Sequence, residues 1–213
     1  MALGSNLDTH RITEDRQPAA HKEGTLPTKT VLQERYEILA VQGIGGMGAV
    51  YQARDLRFGA VSRIIAVKEM VNNAPDPRLR QIGVQNFERE ANILASLSHP
   101  AIPKIFDFFS ESNRSYLVME FVDGRTLEET LTERRKPFDQ EQVLNWALQV
   151  CDVLTYLHNQ KPPVIFRDMK PDNLILRHDG RLMVIDFGIA KVFEQGQRGT
   201  MIGTEGYSPP EQY

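Results

Sequence analysis

The pattern of apolar and polar positions changes repeatedly along the chain, and each change predicts a different kind of structure. From Met1 to about Glu34, charged and polar residues dominate, as in Asp8-Thr9-His10-Arg11 and Glu14-Asp15-Arg16, with almost no periodic apolar positions. Such a stretch buries too little apolar surface to offset the entropy of ordering it, so residues 1–34 are predicted to form a flexible polar leader. From Tyr36 onward short alternating or β-branched runs appear, Tyr36 to Ala40, Ala49 to Ala53 and Ile64 to Met70, split by a cluster of glycines. Period-two alternation puts successive side chains on opposite faces of a strand, so these runs predict an antiparallel sheet. Val84, Phe87, Ala91 and Leu94 then recur at helical spacing, after which Lys104 to Phe109 and Tyr116 to Phe121 return to strand texture. One main helix packed on a small sheet is the first unit this pattern predicts.

After Asp123-Gly124 the texture becomes helical. Thr126 with Glu129, and Asp139 with Gln142, have the spacing of a capping box, in which the first side chain and the third residue's side chain satisfy each other's backbone amides. In the longer helix, over 139–158, Val143, Ala147, Val150, Leu154 and Leu157 form the apolar stripe, widened by Leu144 and Cys151. Cys151 is accordingly predicted to be a small core residue. Val164 to Phe166, Leu174 to Leu176 and Leu182 to Ile185 are short predicted strands flanking loops that carry the chemistry.

Composition narrows the class. A chain of 213 residues with 41% hydrophobic content can bury a core. With 25 basic against 28 acidic residues the net charge is −3, which argues against a nucleic acid or an anionic membrane as the main partner. The single cysteine forbids an intrachain disulfide and fits a reducing, cytoplasmic setting. No run is long and apolar enough to span a bilayer; Tyr116 to Val122 is broken by Glu120.

Between the first two strands, Gly43-Ile44-Gly45-Gly46-Met47-Gly48 spells G-x-G-x-x-G. A dinucleotide-binding turn would open a helix at this point, whereas strand-forming Val50-Tyr51 follows, so a strand-turn-strand hairpin is predicted. Glycines there would let backbone amides close over phosphate oxygens, with Val50 against a base; taken alone, the loop is equally a plain glycine-rich turn. Lys68, within Ile65-Ala66-Val67-Lys68, is a charge inside an apolar strand and needs partners. Phosphate oxygens and a carboxylate on the next helix suit it. Glu90 shares a helical face with Phe87 and Leu94 and is the favoured carboxylate, with Glu88 as its rival.

Downstream stand Phe166-Arg167-Asp168-Met169-Lys170-Pro171-Asp172-Asn173, then Asp186-Phe187-Gly188, then Pro209-Pro210-Glu211. Together with the glycine loop and Ala66-Val67-Lys68, in this order, these segments resemble the eukaryotic-type protein kinases found also in bacteria, from about Arg35 to the end. The resemblance implies an α+β, two-lobed protein-kinase-like fold. Residues 35–122 would form an antiparallel β-sheet lobe with one main helix and the hinge, and residues 123–213 a mostly helical second lobe that is incomplete.

The resemblance also implies a division of labour for transfer of the γ-phosphate of ATP to serine or threonine hydroxyls of proteins. Asp168 would orient the hydroxyl and accept its proton, and Lys170 would offset charge on the transferring group. Lys68 and Glu90 complete the catalytic set, while Asn173 and Asp186 would hold Mg²⁺, or Mn²⁺ in its place. ATP would sit against Gly43, Ile44, Gly45, Gly46, Met47, Gly48, Val50, Ala66, Lys68 and Ile175, with its adenine on the hinge at Met119, Glu120, Phe121 and Val122. Thr126 falls where many relatives place a ribose-contacting acid; a helix cap is its other role. Lys170 and Thr204 fit the serine/threonine branch, Thr200 and Thr204 are candidate self-phosphorylation sites, and Arg167 is a docking point for a phosphorylated loop residue.

Departures from the pattern set further expectations. Phe166 stands where most relatives have histidine and should pack on Phe187, in line with Leu94 and Ile105. The family has further helices after Pro209-Pro210-Glu211, so the chain is expected to be a fragment with an intact ATP site, weak or absent activity, and an exposed apolar patch on the 139–158 helix. The alternative function is that of a pseudokinase, a nucleotide-binding interaction module; the presence of Lys68, Asp168, Asn173 and Asp186 together argues for the enzyme. A small-molecule kinase is disfavoured by Asp186-Phe187-Gly188 and the Gly203 to Glu211 segment.

Overall fold

The computed structural model describes residues 24–45, 48–59, 61–71, 76–112, 114–134, 136–187, 191–192 and 206–207. Gly46, Met47, Gly188, Thr200, Thr204, Ser208 and Pro209-Pro210-Glu211 lie outside them. The first lobe is a six-stranded antiparallel sheet with one long helix. Its strands are β1 (Val31–Leu32), β2 (Tyr36–Gly45), β3 (Gly48–Asp55) and β4 (Arg63–Val71), followed by helix α1 (Pro77–Ser96) and then β5 (Ile105–Glu111) and β6 (Arg114–Glu120). In space they run β1-β2-β3-β4-β6-β5. Helix α1 starts where Asp76 accepts a hydrogen bond from the Arg78 amide at 2.8 Å and Pro77, lacking a donor, occupies the first turn.

Strand register sorts the side chains of the sheet. Val50 lies opposite Lys68, Lys68 opposite Leu117 and Ala66 opposite Met119, so these five share the inner face. Tyr51 and Val118 flank Val67, and Tyr116 lies opposite Glu69, on the outer face. The inner face joins Phe87, Ala91 and Leu94 of α1 to the main core, while the outer face builds a second cluster around Tyr36, Ile38, Tyr51, Val67, Tyr116 and Val118.

That second cluster explains where the expected polar leader differs from the structure. From Gly24 the chain is part of the fold: β1 pairs with β2, Leu32 is 4% exposed, and Leu26 packs on the outer cluster. An apolar sheet face left bare would cost burial free energy, and two well-placed leucines in an otherwise polar stretch are enough to cover part of it.

The second lobe comprises β7 (Gly124–Thr126), α2 (Leu127–Glu133), α3 (Gln140–His158), β8 (Val164–Ile165), β9 (Leu174–Arg177), β10 (Leu182–Val184) and β11 (Lys191–Val192). They pair as a sheet β10-β9-β7 and a ribbon β11-β8. Thr126 and Glu129 form the expected capping box at α2. Asp139 does precede α3, but its side chain makes no cap hydrogen bond, so the second box is not formed.

Helix α3 turns inward an arc that overlaps the expected stripe at Leu157, Val150 and Leu154 but is shifted toward Trp146 and Val153, and it leaves an exposed apolar patch as expected. It buries Trp146, Val153 and Leu157, half-buries Val150 and Leu154, and leaves Val143, Leu144 and Leu148 exposed. Cys151 is exposed too, which overturns its assignment to the core. Apolar residues surround most of this helix, so periodicity alone does not fix which arc meets Val164 and Leu182. Among the described residues, no helix is long and apolar enough to cross a membrane.

Candidate active site

The two lobes meet at Lys68. Its position on β4, between inner-face neighbours Ala66 and Met70, projects the ammonium toward α1. Lys68 Nζ donates to Glu90 Oε1 at 3.1 Å and to Asp186 Oδ1 at 2.7 Å. Glu90 is 8% exposed and lies on the buried face of α1 with Phe87, Ala91 and Leu94, whereas Glu88 faces solvent. Burial alone would lower the Lys68 pKa, but the charges of Asp186 and Glu90 and their hydrogen bonds raise it overall, so the amine stays an ammonium. Burial pushes the Glu90 carboxyl above the ordinary range, against the pull of Lys68.

Asp186 is reached through a chain of backbone hydrogen bonds. Val184 N–H donates to the Ala101 carbonyl at 2.8 Å, and Ile185 N–H to the Asn173 carbonyl at 2.9 Å. The strand β10 is thereby fixed both to the loop after α1 and to the short turn Pro171–Asn173. Asn173 is 4% exposed, and its amide nitrogen donates to the Asp168 carbonyl at 2.8 Å and to Asp168 Oδ2 at 2.9 Å. Lys170 Nζ lies 3.1 Å from the same Oδ2. Asp168, Lys170 and Asn173 form one cluster, tied through Ile185 to Asp186 and thence to Lys68.

Backbone strain marks this region. Arg167 and Asp186 adopt φ of 71° and 59°, the left-handed region that side chains with a Cβ rarely enter. Each such residue stores about 1–3 kcal/mol, held in place by its surroundings. The expected ring contact helps to hold them: Phe166, 2% exposed, meets Phe187 edge-on with centroids 4.9 Å apart. Both rings belong to the main core with Leu94, and Ile105 packs against it.

Around the same inner face lie the residues expected to contact nucleotide. Strands β2 and β3 pair with Gly43 opposite Val50, Ile44 opposite Ala49 and Gly45 opposite Gly48, so the glycine motif is flanked by two antiparallel strands as predicted. Gly48, at φ 150°, is required by space as well as conformation: a Cβ there would lie 2.0 Å from the Glu69 carbonyl oxygen. Val50, Ala66 and Met119 share the face that carries Lys68.

The opposite wall comes from β9. Ile175 pairs with Thr126 on β7, and β9 approaches so closely that a Cβ on Gly124 would meet the Leu176 carbonyl oxygen at 2.5 Å. Glu120, Phe121 and Val122 connect β6 to β7; Glu120 N–H already donates to the Lys104 carbonyl at 2.8 Å. Thr126 Oγ1 accepts from the Glu129 amide at 3.0 Å, so its hydroxyl serves the helix cap.

Metal-binding capacity follows from the donor set. Asn173 commits its nitrogen to Asp168, which leaves the amide oxygen as its group for a cation, and Asp186 adds a half-exposed carboxylate. Among the described residues no group of three or more His, Cys, Asp or Glu is placed to hold a metal. Two hard oxygen donors completed by phosphate oxygens and water suit Mg²⁺, which seldom uses an all-protein cage.

Some contributors lie outside the residues that the sequence reading singles out. Ser98 N–H donates to Tyr156 Oη at 2.7 Å and His99 Nε2 lies 3.2 Å from Asp152 Oδ2, anchoring the loop after α1 to α3. Glu69, buried on the outer face beside Lys68, is another. An acid inside an apolar strand was the available signal for Glu69; nothing in the local pattern marks Tyr156.

Comparison with known proteins agrees with this geometry. The family described as protein kinase domain matches residues 36–212. Serine/threonine-protein kinase B of Synechocystis is 34% identical over 194 residues, covering 85% of this chain and 33% of the relative. A probable serine/threonine-protein kinase of Streptomyces coelicolor is 38% identical, covering 84% of this chain and 26% of the relative. PrkC of Bacillus subtilis is 35% identical with the same coverages, 84% and 26%. The chain therefore spans a third or less of the length of these relatives. A solved structure described as PpkA-294 apo form superposes with a TM-score of 0.67 at 26% identity, over 77% of this chain and 62% of that one. The family match covers the strands that carry Lys68, the helix that carries Glu90 and the loops that carry Asp168, Asn173 and Asp186, and the chain belongs to the protein kinase domain family.

Proposed function

We propose that the protein transfers the γ-phosphate of ATP to serine or threonine hydroxyls of proteins. The observation that carries this reading is the chain of contacts Glu90–Lys68–Asp186, continued through Ile185 to Asn173 and Asp168. In such a site catalysis is mainly positioning and charge neutralisation. Lys68, held between two carboxylates, presents a fixed cation to the phosphates, and Gly48 lies against the Glu69 backbone of β4 because it has no side chain. A Mg²⁺ or Mn²⁺ ion, when bound at Asn173 and Asp186, would supply further charge neutralisation to the phosphate oxygens.

Asp168 would accept the proton. The substrate oxygen forms its bond to the γ-phosphorus as the bond to the β–γ bridging oxygen breaks; the hydroxyl proton goes to Asp168 and ADP departs with the bridging oxygen. Asn173 and Lys170 both hold Asp168 Oδ2, which orients the carboxylate while leaving the proton to be taken by the same group. Lys170, beside Asp168, would offset charge on the transferring phosphoryl group. Adenine would lie between Ala66, Val50 and Ile175, with Met119 deeper and backbone groups of Glu120 to Val122 at its edge.

The test is phosphate transfer from labelled MgATP to a generic serine- and threonine-containing protein, with mass-spectrometric mapping of self-modification at Thr200 and Thr204. Wild type should transfer label, and Asp168→Asn should reduce the rate by about 10²-fold or more. Equal rates would remove the enzymatic reading. MgATP binding without transfer in wild type would favour the nucleotide-binding interaction module instead.

A further inference from the structure

Glu69 follows Lys68 on β4 and so points to the opposite, outer face of the sheet. It is 3% exposed, where a carboxylate needs full compensation. Oε2 accepts from Tyr51 Oη at 2.7 Å, and Oε1 accepts from Arg114 Nη1 at 2.6 Å and from Tyr116 Oη at 3.2 Å. Burial, reinforced by the neighbouring Glu69 carboxylate, raises the pKa of both tyrosines, so each keeps its proton to donate.

Two of these three donors also reach the segment that precedes β1. Tyr51 Oη accepts from the Leu26 amide at 3.0 Å, and Arg114 Nη1 donates to the Gly24 carbonyl at 3.3 Å. Each oxygen of one buried carboxylate is thus linked, through a single intermediary, to the backbone of residues 24–26. The main chain of the same residue serves the nucleotide side. Its carbonyl oxygen would lie 2.0 Å from a Cβ on Gly48, and its peptide nitrogen is bonded to the Lys68 carbonyl carbon.

We propose that Glu69 is a positioning residue for the phosphate site, and that docking of Gly24–Leu26 onto the Tyr51–Glu69–Arg114 relay tightens the binding of MgATP. The proposal rests on the nucleotide-binding reading given above. Undocking would withdraw partners from Tyr51 and Arg114 and make them compete differently for Glu69. That re-pairing acts on the strand segment that fixes both Gly48 and Lys68. Coupling of two sites is reciprocal, so bound nucleotide must in turn stabilise the docked segment.

The experiment uses the full chain and two readouts, the Kd for MgATP and amide hydrogen exchange over residues 24–32 with and without MgATP. Tyr51→Phe keeps the ring and removes the relay hydroxyl; it should raise the Kd by about threefold or more, since one hydrogen bond is at stake. Arg114→Gln, on the other bridge, should act in the same direction and keeps the proposal testable if Tyr51→Phe folds poorly. Tyr36→Phe is the control for a merely structural effect. Tyr36 is on the same face and equally buried, but its hydroxyl bonds Asp107 at 2.6 Å, away from Glu69, and its Kd should equal that of wild type. MgATP should slow exchange over 24–32 in wild type and less in Tyr51→Phe. Equal Kd values for Tyr51→Phe and Tyr36→Phe, or exchange over 24–32 unmoved by MgATP, would overturn the proposal while leaving nucleotide binding in place. Absence of MgATP binding to wild type would overturn both.

Discussion

Phe166 shows how one buried ring can support the candidate site through packing. Its ring is buried against Phe187, and its carbonyl accepts from the Asp168 amide at 3.0 Å, so it shapes the loop that carries Asp168 through packing and backbone. Phe166→Ala should cost about 3–5 kcal/mol, the range for deleting a buried aromatic ring. It should also free Phe187 and with it the strained Asp186 backbone. Phe166→His should cost only about 1–3 kcal/mol, because a ring of similar shape remains and one polar ring must be desolvated. Urea denaturation measures both losses. The MgATP Kd of Phe166→His should stay within about threefold of wild type, whereas Phe166→Ala should weaken binding more; equal binding by the two would mean the ring does not support the site.

At the level of elements, α2 is the case in which local sequence decides local structure. Thr126 and Glu129 satisfy each other's amides, and Leu127 is buried beneath them. Thr126→Ala should therefore cost about 1 kcal/mol in denaturant unfolding and leave the MgATP Kd unchanged, because the hydroxyl is engaged by the cap. A weakened Kd with unaltered stability would instead assign Thr126 to the ribose. Strands β2 to β6 and β8 to β10, α1, the paired strands around the glycine loop and the Lys68–Glu90 pair were legible in the sequence for the same reason: alternation, helical spacing and the cost of an unpaired charge are local signals. Strands β1, β7 and β11 are two or three residues long and show none of them. Helix α3 was harder. Val143, Leu144, Trp146, Leu148, Val150, Cys151, Val153 and Leu157 surround most of its axis, so only tertiary contact with β8 and β10 selects Trp146, Val153 and Leu157 as the buried arc. The docking of residues 24–32 was harder still, since two leucines and a set of backbone hydrogen bonds have no periodicity to detect.

The whole molecule is held by two apolar clusters on opposite faces of one sheet, and polar links tie the segment preceding β2 to that sheet. Arg35 Nε and Nη2 donate to the two Asp55 oxygens at 2.8 and 2.7 Å, while Nη1 reaches Asp107 at 3.4 Å. The Leu56 amide donates to the Arg35 carbonyl at 2.8 Å, so the entry to β2 and the exit from β3 are fastened by side chain and backbone together. Hydrogen bonding from Arg35 holds the Asp55 carboxyl below its ordinary pKa against the opposing effect of burial, with the Arg57 amide adding to the lowering. A carboxylate whose folded-state pKa is depressed contributes its stability fully above its unfolded value, about pH 4, and loses it as pH falls through the lowered folded value. Asp55, only 2% exposed at its side chain, should therefore be one origin of acid sensitivity. Asp55→Ala breaks the pair, leaves Arg35 with the longer contact to Asp107 and the Tyr36 ring, and should cost about 3 kcal/mol at neutral pH. The stability gap between wild type and variant should persist from neutral pH down to about pH 4 and narrow below it. Urea denaturation across that range measures the gap, and a difference independent of pH would show that Asp55 acts through shape and the short turn it caps, with its charge contributing nothing.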